Sequence, residues 1–264
     1  MEKYINKVLQ GDCLQVMKDI PDKSVDMVLT SPPYDNLRTY NGSLDWGEHI
    51  WKPVIRELFR VTKDGGVVVW VVGDATIKGS ETGTSFKHAL YFKEVGFNLH
   101  DTMIYAKQNP VPYHHNRYNP QFEFMFILSK GVPKIFNPIQ ENTKGFKTGK
   151  YRYTDGSLKV ANTPIIKETK MLNNIWYYVV GGKGNSHPAT FPEKLANDHI
   201  LSWSNEGDTV LDPFAGSGTV GKMAKQLNRN YILIEKEPEY IDIINKRLTL
   251  IKPEILCESI KKDK

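Results

Sequence analysis

The sequence feature that most constrains the fold is an uninterrupted apolar run, VVVWVV, at residues 67–72. A strand with one solvated face alternates apolar and polar residues, because successive side chains point to opposite faces. A continuous apolar run instead predicts a strand covered on both faces, as in the middle of a parallel sheet. Helices must then pack on both sides of that sheet.

Segments with helical periodicity alternate with short apolar segments along most of the chain, which predicts right-handed βαβ crossovers and a doubly wound α/β sheet. The stretch at 130–184 is different: polar, aromatic and basic residues mix there without a period, so we expect an irregular insertion. Strands are predicted at 3–8, 25–30, 67–72, 101–107, 122–129, 208–212 and 230–235, and helices at 13–20, 49–62, 86–96, 191–204, 218–228 and 238–251.

Composition narrows the class of protein. The 264 residues carry a net charge of +5, which permits binding to nucleic acid without requiring it. The chain has no apolar run near the ~18 residues of a membrane span, and its first twenty residues are charged. Cys13 and Cys257 are too few and too far apart for a disulfide framework or a zinc site. We therefore expect a cytoplasmic protein without a metal.

The stretch VLDPFAGSGTVG at 210–221 predicts a ligand-binding loop. A strand ends at Asp212, and Gly216 and Gly218 open the next helix, where the backbone can approach a ligand closely. Glu235 ends the following strand, the place where a carboxylate often binds the ribose hydroxyls of an adenosine group. Asp212 would repel a pyrophosphate, which favours a cationic ligand such as S-adenosylmethionine over a dinucleotide. A plain strand-to-helix turn is the alternative.

The segment TSPPY at 30–34 closes the strand at 25–30. Prolines fix φ and lack N–H donors, so the segment presents hydrogen-bond acceptors on a rigid backbone. A simple turn would explain the prolines equally well if the segment stood alone.

Together, DPFAGSG and TSPPY resemble the motifs of DNA amino-methyltransferases, and SPPY precedes DPFAGSG as in the circularly permuted β class. GDCLQVM, QFEFMFILSKG and HPATFPEKL resemble further elements of that family, so the likeness covers nearly the whole chain. It implies a Rossmann-like, mostly parallel sheet of seven strands with a target-recognition insertion. The implied division is a catalytic half at 1–129, the target-recognition region at 130–185 and a cofactor-binding half at 186–264.

The resemblance implies S-adenosylmethionine as the cofactor. Phe191 could instead be a core residue and Lys194 a solvated helix residue. The residues implied at the cofactor site are Asp12, Thr30, His187, Thr190, Phe191, Lys194, Asp212, Pro213, Phe214, Ala215, Gly216, Ser217, Gly218, Thr219 and Glu235.

The catalytic segment is implied to be Ser31, Pro32, Pro33 and Tyr34. The Ser31 hydroxyl and the Pro32 carbonyl would accept hydrogen bonds from an exocyclic amine and draw its nitrogen towards tetrahedral geometry. Tyr34 would stack on a base flipped out of the duplex.

The target base is predicted to be cytosine, methylated at N4. Carbon-5 methylation needs a thiolate nucleophile, and neither cysteine lies in a Pro-Cys loop. Within the family, serine at the first position of SPPY is associated mainly with N4-cytosine enzymes and aspartate with N6-adenine enzymes; adenine stays open. A methyltransferase for RNA or protein amides and an inactive DNA-binding module fit the motifs less well.

Double-stranded DNA is the expected partner, in a bacterium or phage. A homodimer and a partner restriction endonuclease, or a solitary enzyme, are left open. Cationic and aromatic side chains that could contact DNA lie in three segments: Asn36 and Arg38; Lys107, Tyr113, His114, His115, Arg117 and Tyr118; and Lys144, Lys147, Lys150 and Arg152.

Overall fold

A computed structural model of the chain describes residues 1–33, 46–110, 112, 116–153, 155–179 and 192–251. The chain forms two compact units: Met1–Asn137 with Ile175–Lys264, and Pro138–Asn174. None of the helices in the described ranges combines the length and apolarity needed to cross a bilayer.

Within the described residues, the larger unit is built on an eight-stranded sheet. Every neighbouring pair is parallel except those made by the sixth strand of the row, which runs antiparallel to both of its neighbours. Across the sheet the order is β1 (Lys7–Gln10), β12 (Asn230–Glu235), β11 (Thr209–Asp212), β2 (Val25–Thr30), β3 (Thr62–Val72), β7 (Phe122–Ser129), β6 (Asn98–Lys107) and β10 (Ile175–Tyr178).

The predicted fold class, a mostly parallel α/β sheet, is confirmed. The sheet has one strand more than the seven expected, because β10 pairs in parallel with β6 at its edge. The helices are α1 (Cys13–Lys18), α2 (Glu48–Val61), α3 (Thr84–Val95), α4 (Glu193–Trp203), α5 (Thr219–Gln226) and α6 (Pro238–Thr249), and a short hairpin joins β4 (Thr76–Ile77) to β5 (Ser80–Glu81).

The apolar run at 67–72 is buried on both faces, as its sequence predicts. Val68 and Trp70 belong to the same core cluster as Trp51 of α2 and Phe92 of α3. Val67, Val69 and Val71, which point to the other face of the sheet, are equally buried. Because both faces of β3 are buried, its carboxyl end is one of the few parts of the strand available to a ligand.

The smaller unit contains an antiparallel pair, β8 (Gln140–Arg152) and β9 (Leu158–Met171). The expectation of an irregular insertion at 130–184 is therefore wrong for this part of the stretch. The Asp155 carboxylate accepts a hydrogen bond from the Ser157 N–H at 2.8 Å, and Gly156 has a φ of 83°. An Asp-Gly pair is a recognised hairpin signal, and it could have identified the turn. The target-recognition role of this region stays a prediction.

Candidate active site

The sheet order brings the two main sequence motifs together. β11 pairs with β2 on one side and with β12 on the other, all in parallel. The carboxyl ends of parallel strands meet at one edge, so Asp212, Glu235 and the start of SPPY lie side by side. Roughly 180 residues of chain separate SPPY from DPFAGSG.

Asp212 is the buried centre of this edge. Its side chain is 3% exposed, and its Oδ1 accepts a hydrogen bond from the Thr30 hydroxyl at 2.6 Å and from the Phe214 N–H at 3.1 Å. Burial, with a smaller effect of the nearby Glu235 charge, raises the pKa of Asp212 to about 7. A buried carboxyl of this kind favours a cationic ligand, because a positive charge beside it stabilises its ionised form.

Glu235 holds the glycine loop, residues 215–218. Its Oε2 accepts a hydrogen bond from the Gly216 N–H at 2.7 Å, and its Oε1 accepts one from the Glu237 N–H at 2.9 Å. Burial raises the pKa of Glu235 above its usual value. Glu235 is thus part of the loop's framework, whereas the plain-turn alternative leaves it as a surface residue.

Close packing, as well as backbone conformation, requires glycine at positions 218 and 221. Gly218 has a φ of 78°, and a Cβ there would lie 2.9 Å from Ile244 Cγ2 on α6. A Cβ on Gly221 would lie 2.3 Å from Leu233 Cδ1 on β12. The G-x-G-x-x-G spacing therefore lets α5 pack closely against its neighbours.

Phe214 places an aromatic ring beside Asp212. Its ring meets Trp46 edge-on at a centroid distance of 5.5 Å and Trp70 at 6.5 Å. No motif or spacing in the sequence points to Trp46. Only the fold shows that it lies next to the glycine loop.

Two other predicted cofactor residues have local partners. Asp12 caps α1: its Oδ1 accepts hydrogen bonds from the N–H groups of Leu14 at 3.0 Å and Gln15 at 3.2 Å. Lys194 is 71% exposed and forms an ion pair with Asp198 at 2.7 Å, one turn further along α4. These contacts are those of a helix cap and a solvated helix residue, and direct contact with the cofactor stays a prediction for both.

Some predicted DNA contacts are also engaged within the protein. Lys107, at the end of β6, is paired with Glu123 at 2.8 Å. Arg117 donates a hydrogen bond to the Gly79 carbonyl and lies 3.7 Å from a carboxylate oxygen of Glu81. Tyr118 is fully exposed.

Several predicted residues cannot be placed. Those outside the described residues are Tyr34, Asn36, Arg38, Tyr113, His114, His115, His187, Thr190 and Phe191. On β8 the backbone is described but the side chains of Lys144, Lys147, Lys150 and Arg152 are not.

Comparisons with known proteins fit this geometry. The sequence profile of the N6_N4_Mtase family, described as DNA methylase, matches residues 25–246. The chain belongs to this family of DNA methylases. It is 52% identical to the orphan methyltransferase M.BamHII of Bacillus amyloliquefaciens, over 88% of this chain and 91% of the relative. It is 30% identical to the type II methyltransferase M.HinfI of Haemophilus influenzae, over 99% of this chain and 74% of the relative.

Solved structures share the fold of this DNA methylase. The cytosine-N4-specific PvuII DNA methyltransferase superposes with a TM-score of 0.70 at 22% identity, covering 94% of this chain and 87% of that one. The M1.HpyAVI–SAM complex superposes with a TM-score of 0.65 at 25% identity, covering 92% and 99%. The family uses S-adenosylmethionine. The buried Asp212 carboxylate suits the cationic charge of that cofactor, and contact of Glu235 with its ribose hydroxyls stays a prediction.

We predict that Asp212→Asn abolishes S-adenosylmethionine binding yet raises the melting temperature of the ligand-free protein at about pH 8. Folding lifts the pKa of Asp212 from 3.8 to about 7, so the folded state holds the proton more tightly than the unfolded state. The Asp212 carboxyl therefore stabilises the fold less and less as the pH rises from 3.8 to about 7. Asparagine carries no charge, so this loss of stability does not occur in the variant. Calorimetric titration and thermal melts at about pH 5 and about pH 8 measure both effects.

The control for this substitution is Asp198→Asn, at another buried carboxylate. Asp198 is ion-paired with Lys194 and accepts a hydrogen bond from the Tyr178 hydroxyl at 2.8 Å. The control is expected to melt lower at both pH values. An Asp212→Asn protein that also melted lower at both would contradict the predicted penalty.

Thr30→Val is predicted to weaken S-adenosylmethionine binding by about tenfold near neutral pH, because the ionised Asp212 loses a buried donor. The loss of that donor also raises the Asp212 pKa further, so the pH at which binding is half lost should move upwards. Thr30→Ser keeps the hydroxyl and should stay near wild type. Titration of cofactor binding across pH measures this, and an unchanged pH profile in Thr30→Val would refute the coupling.

Proposed function

We propose that this protein transfers the methyl group of S-adenosylmethionine to the exocyclic N4 of a cytosine flipped out of duplex DNA. The observation that carries the proposal is the hydrogen bond from Thr30 to Asp212. It joins the residue before Ser31 to the buried carboxylate of the candidate cofactor site. The group to be methylated and the methyl donor would therefore meet at one point on the edge of the sheet.

The chain's own part in the reaction is to supply acceptors and to fix their position. Ser31 lies half-buried at the end of β2, and Pro32 is buried directly after it. An aromatic amine is a weak nucleophile because its lone pair is delocalised into the ring. The Ser31 hydroxyl and the Pro32 carbonyl would each accept a hydrogen bond from one of the two N–H groups of the amine. They would thereby stabilise the charge that develops on its nitrogen. Since the prolines hold the backbone rigid, little reorganisation is needed.

Cys13 is not suited to methylation at carbon 5 of cytosine. This thiol is buried in the core cluster, and burial raises its pKa to about 12. It is therefore protonated at neutral pH and cannot serve as the attacking thiolate. An amino group remains the target that fits the described residues.

Cytosine is proposed over adenine because position 31 is a neutral serine. The structural relative named as cytosine-N4-specific supports the same choice. The description of M.BamHII as an orphan methyltransferase supports a solitary enzyme over one paired with an endonuclease. The target-recognition role of 130–185, the homodimer and the cytoplasmic location remain predictions.

The product can be identified directly. Duplex DNA is incubated with the protein and S-adenosylmethionine carrying a labelled methyl group, digested to nucleosides and separated by mass spectrometry. N4-methylcytosine is the expected product. N6-methyladenine as the only labelled nucleoside would show the base assignment to be wrong, and label in RNA or protein but not DNA would exclude the DNA substrate.

Ser31→Ala should lower turnover by about a hundredfold or more while cofactor binding is retained, because one of the two acceptors is lost. The matched control is Ser24→Ala at the opposite end of β2, where the exposed hydroxyl donates to the Pro21 carbonyl at 2.6 Å. Single-turnover methylation at saturating S-adenosylmethionine measures both variants. Wild-type turnover in Ser31→Ala would contradict the acceptor role.

A further inference from the structure

Arg247 of α6 contacts the glycine loop at Ser217, the residue after the Gly216 that Glu235 binds. Its Nη1 donates hydrogen bonds to the Ser217 carbonyl at 2.6 Å and to Ser217 Oγ at 2.7 Å. Its Nη2 donates to Glu193 Oε1 at 2.8 Å. Arg247 belongs to none of the motifs in the sequence, and its contact with the loop is visible only in the fold.

Glu193 connects this arginine to a second helix. It is the first residue of α4, and the Lys222 ammonium on α5 donates to both of its carboxylate oxygens at 2.7 Å. Although burial raises the pKa of Glu193, the bonds from Lys222 and Arg247 hold it below its usual range. Three helices therefore meet at one ionised carboxylate beside the loop.

The loop needs such contacts because its own backbone supplies little rigidity. Gly216 and Gly218 flank Ser217, and both have positive φ values. Glycines lose more conformational entropy than other residues when they are fixed. A carboxylate, Glu235, accepts from the loop's N–H at Gly216, and a guanidinium, Arg247, donates to its carbonyl at Ser217. A negative side chain thus binds an N–H donor of the loop, and a positive side chain binds a carbonyl acceptor of the same loop.

We propose that Arg247 is a positioning residue for cofactor binding, holding the glycine loop in its binding conformation and tying it through Glu193 to the start of α4. This proposal rests on the assignment of the loop to the S-adenosylmethionine site. The segment 187–191, also implied at that site, comes just before Glu193 in sequence. Arg247 acts through the loop and does not itself bind the cofactor.

A matched control exists at Arg60, whose carbonyl accepts a hydrogen bond from the Lys23 N–H just before β2. Its guanidinium donates to the carbonyls of Ile20 at 2.8 Å and Met17 at 2.6 Å, and to the carboxylates of Asp22 and Glu57. The two arginines have similar exposure, 27% for Arg60 and 17% for Arg247. Their substitution should cost comparable stability, but only one of them contacts the loop.

The test compares Arg247→Gln with Arg60→Gln in the full chain. Arg247→Gln should raise the KM for S-adenosylmethionine by about tenfold, with kcat at saturating cofactor within about threefold of wild type. Arg60→Gln should lower the melting temperature without changing that KM. A KM within twofold of wild type in Arg247→Gln would overturn the proposal, as would an equal rise in Arg60→Gln. Arg247→Lys, which keeps the charge, should give an intermediate KM and serves if the glutamine variant does not fold.

A second measurement separates positioning from direct contact. 5′-Methylthioadenosine lacks the carboxylate and amine of the cofactor's amino-acid part. If Arg247 bound those groups directly, its substitution would leave the inhibition constant of this compound unchanged. Its inhibition constant should still rise in Arg247→Gln if the loop has lost its shape; an unchanged constant would overturn the positioning role. If the loop is not part of the S-adenosylmethionine site, Asp212→Asn should bind the cofactor as tightly as the wild type. That result is distinct from a failure of the positioning role.

Discussion

The buried hydrogen bond between Thr30 and Asp212 is the interaction on which the arrangement of this site depends. It joins side chains 182 positions apart in the sequence, at the ends of two adjacent parallel strands. The bond requires β11 to lie directly beside β2. It also gives the buried Asp212 carboxylate a strong donor, which offsets part of the cost of removing that group from water.

Among the described residues, acidic side chains without a cationic partner within hydrogen-bond distance cluster at one part of the carboxyl edge of the sheet, whereas the cations further along it are paired with carboxylates. β12 and β11 end in Glu235 and Asp212, and Asp12 follows β1 as the cap of α1. Across β2, β6 ends in Lys107, which is paired with Glu123, and Arg117 follows in the next loop, near Glu81. Ser31 and Pro32 directly follow β2, between these two groups of strands. Because burial raises the pKa of Asp212, its carboxyl contributes less to the stability of the ligand-free fold as the pH rises.

Much of the fold could be predicted, because its signals are local and periodic. The β3 strand was identifiable from its apolar run, and the helices from their amphipathic spacing. The boundaries were less accurate: β1 begins at Lys7, later than expected, because Tyr4 N–H bonds to the Met1 carbonyl in a turn. The β8–β9 pair was missed because its strands lack simple alternation. Trp46 and Arg247 could not be predicted, because a contact with residues far away in the chain produces no motif or periodic pattern in the sequence.

By itself, the sequence determined the α/β class, the acceptor-rich segment at Ser31 and the acidic glycine loop at Asp212. These follow from side-chain chemistry and from patterns a few residues long, which survive in any arrangement of the elements. Only the tertiary structure decided that the two motifs share one edge, that Thr30 donates to Asp212, and that Glu235 and Arg247 bind the loop at Gly216 and Ser217. Those contacts depend on strand order and helix packing, which join residues far apart in the chain.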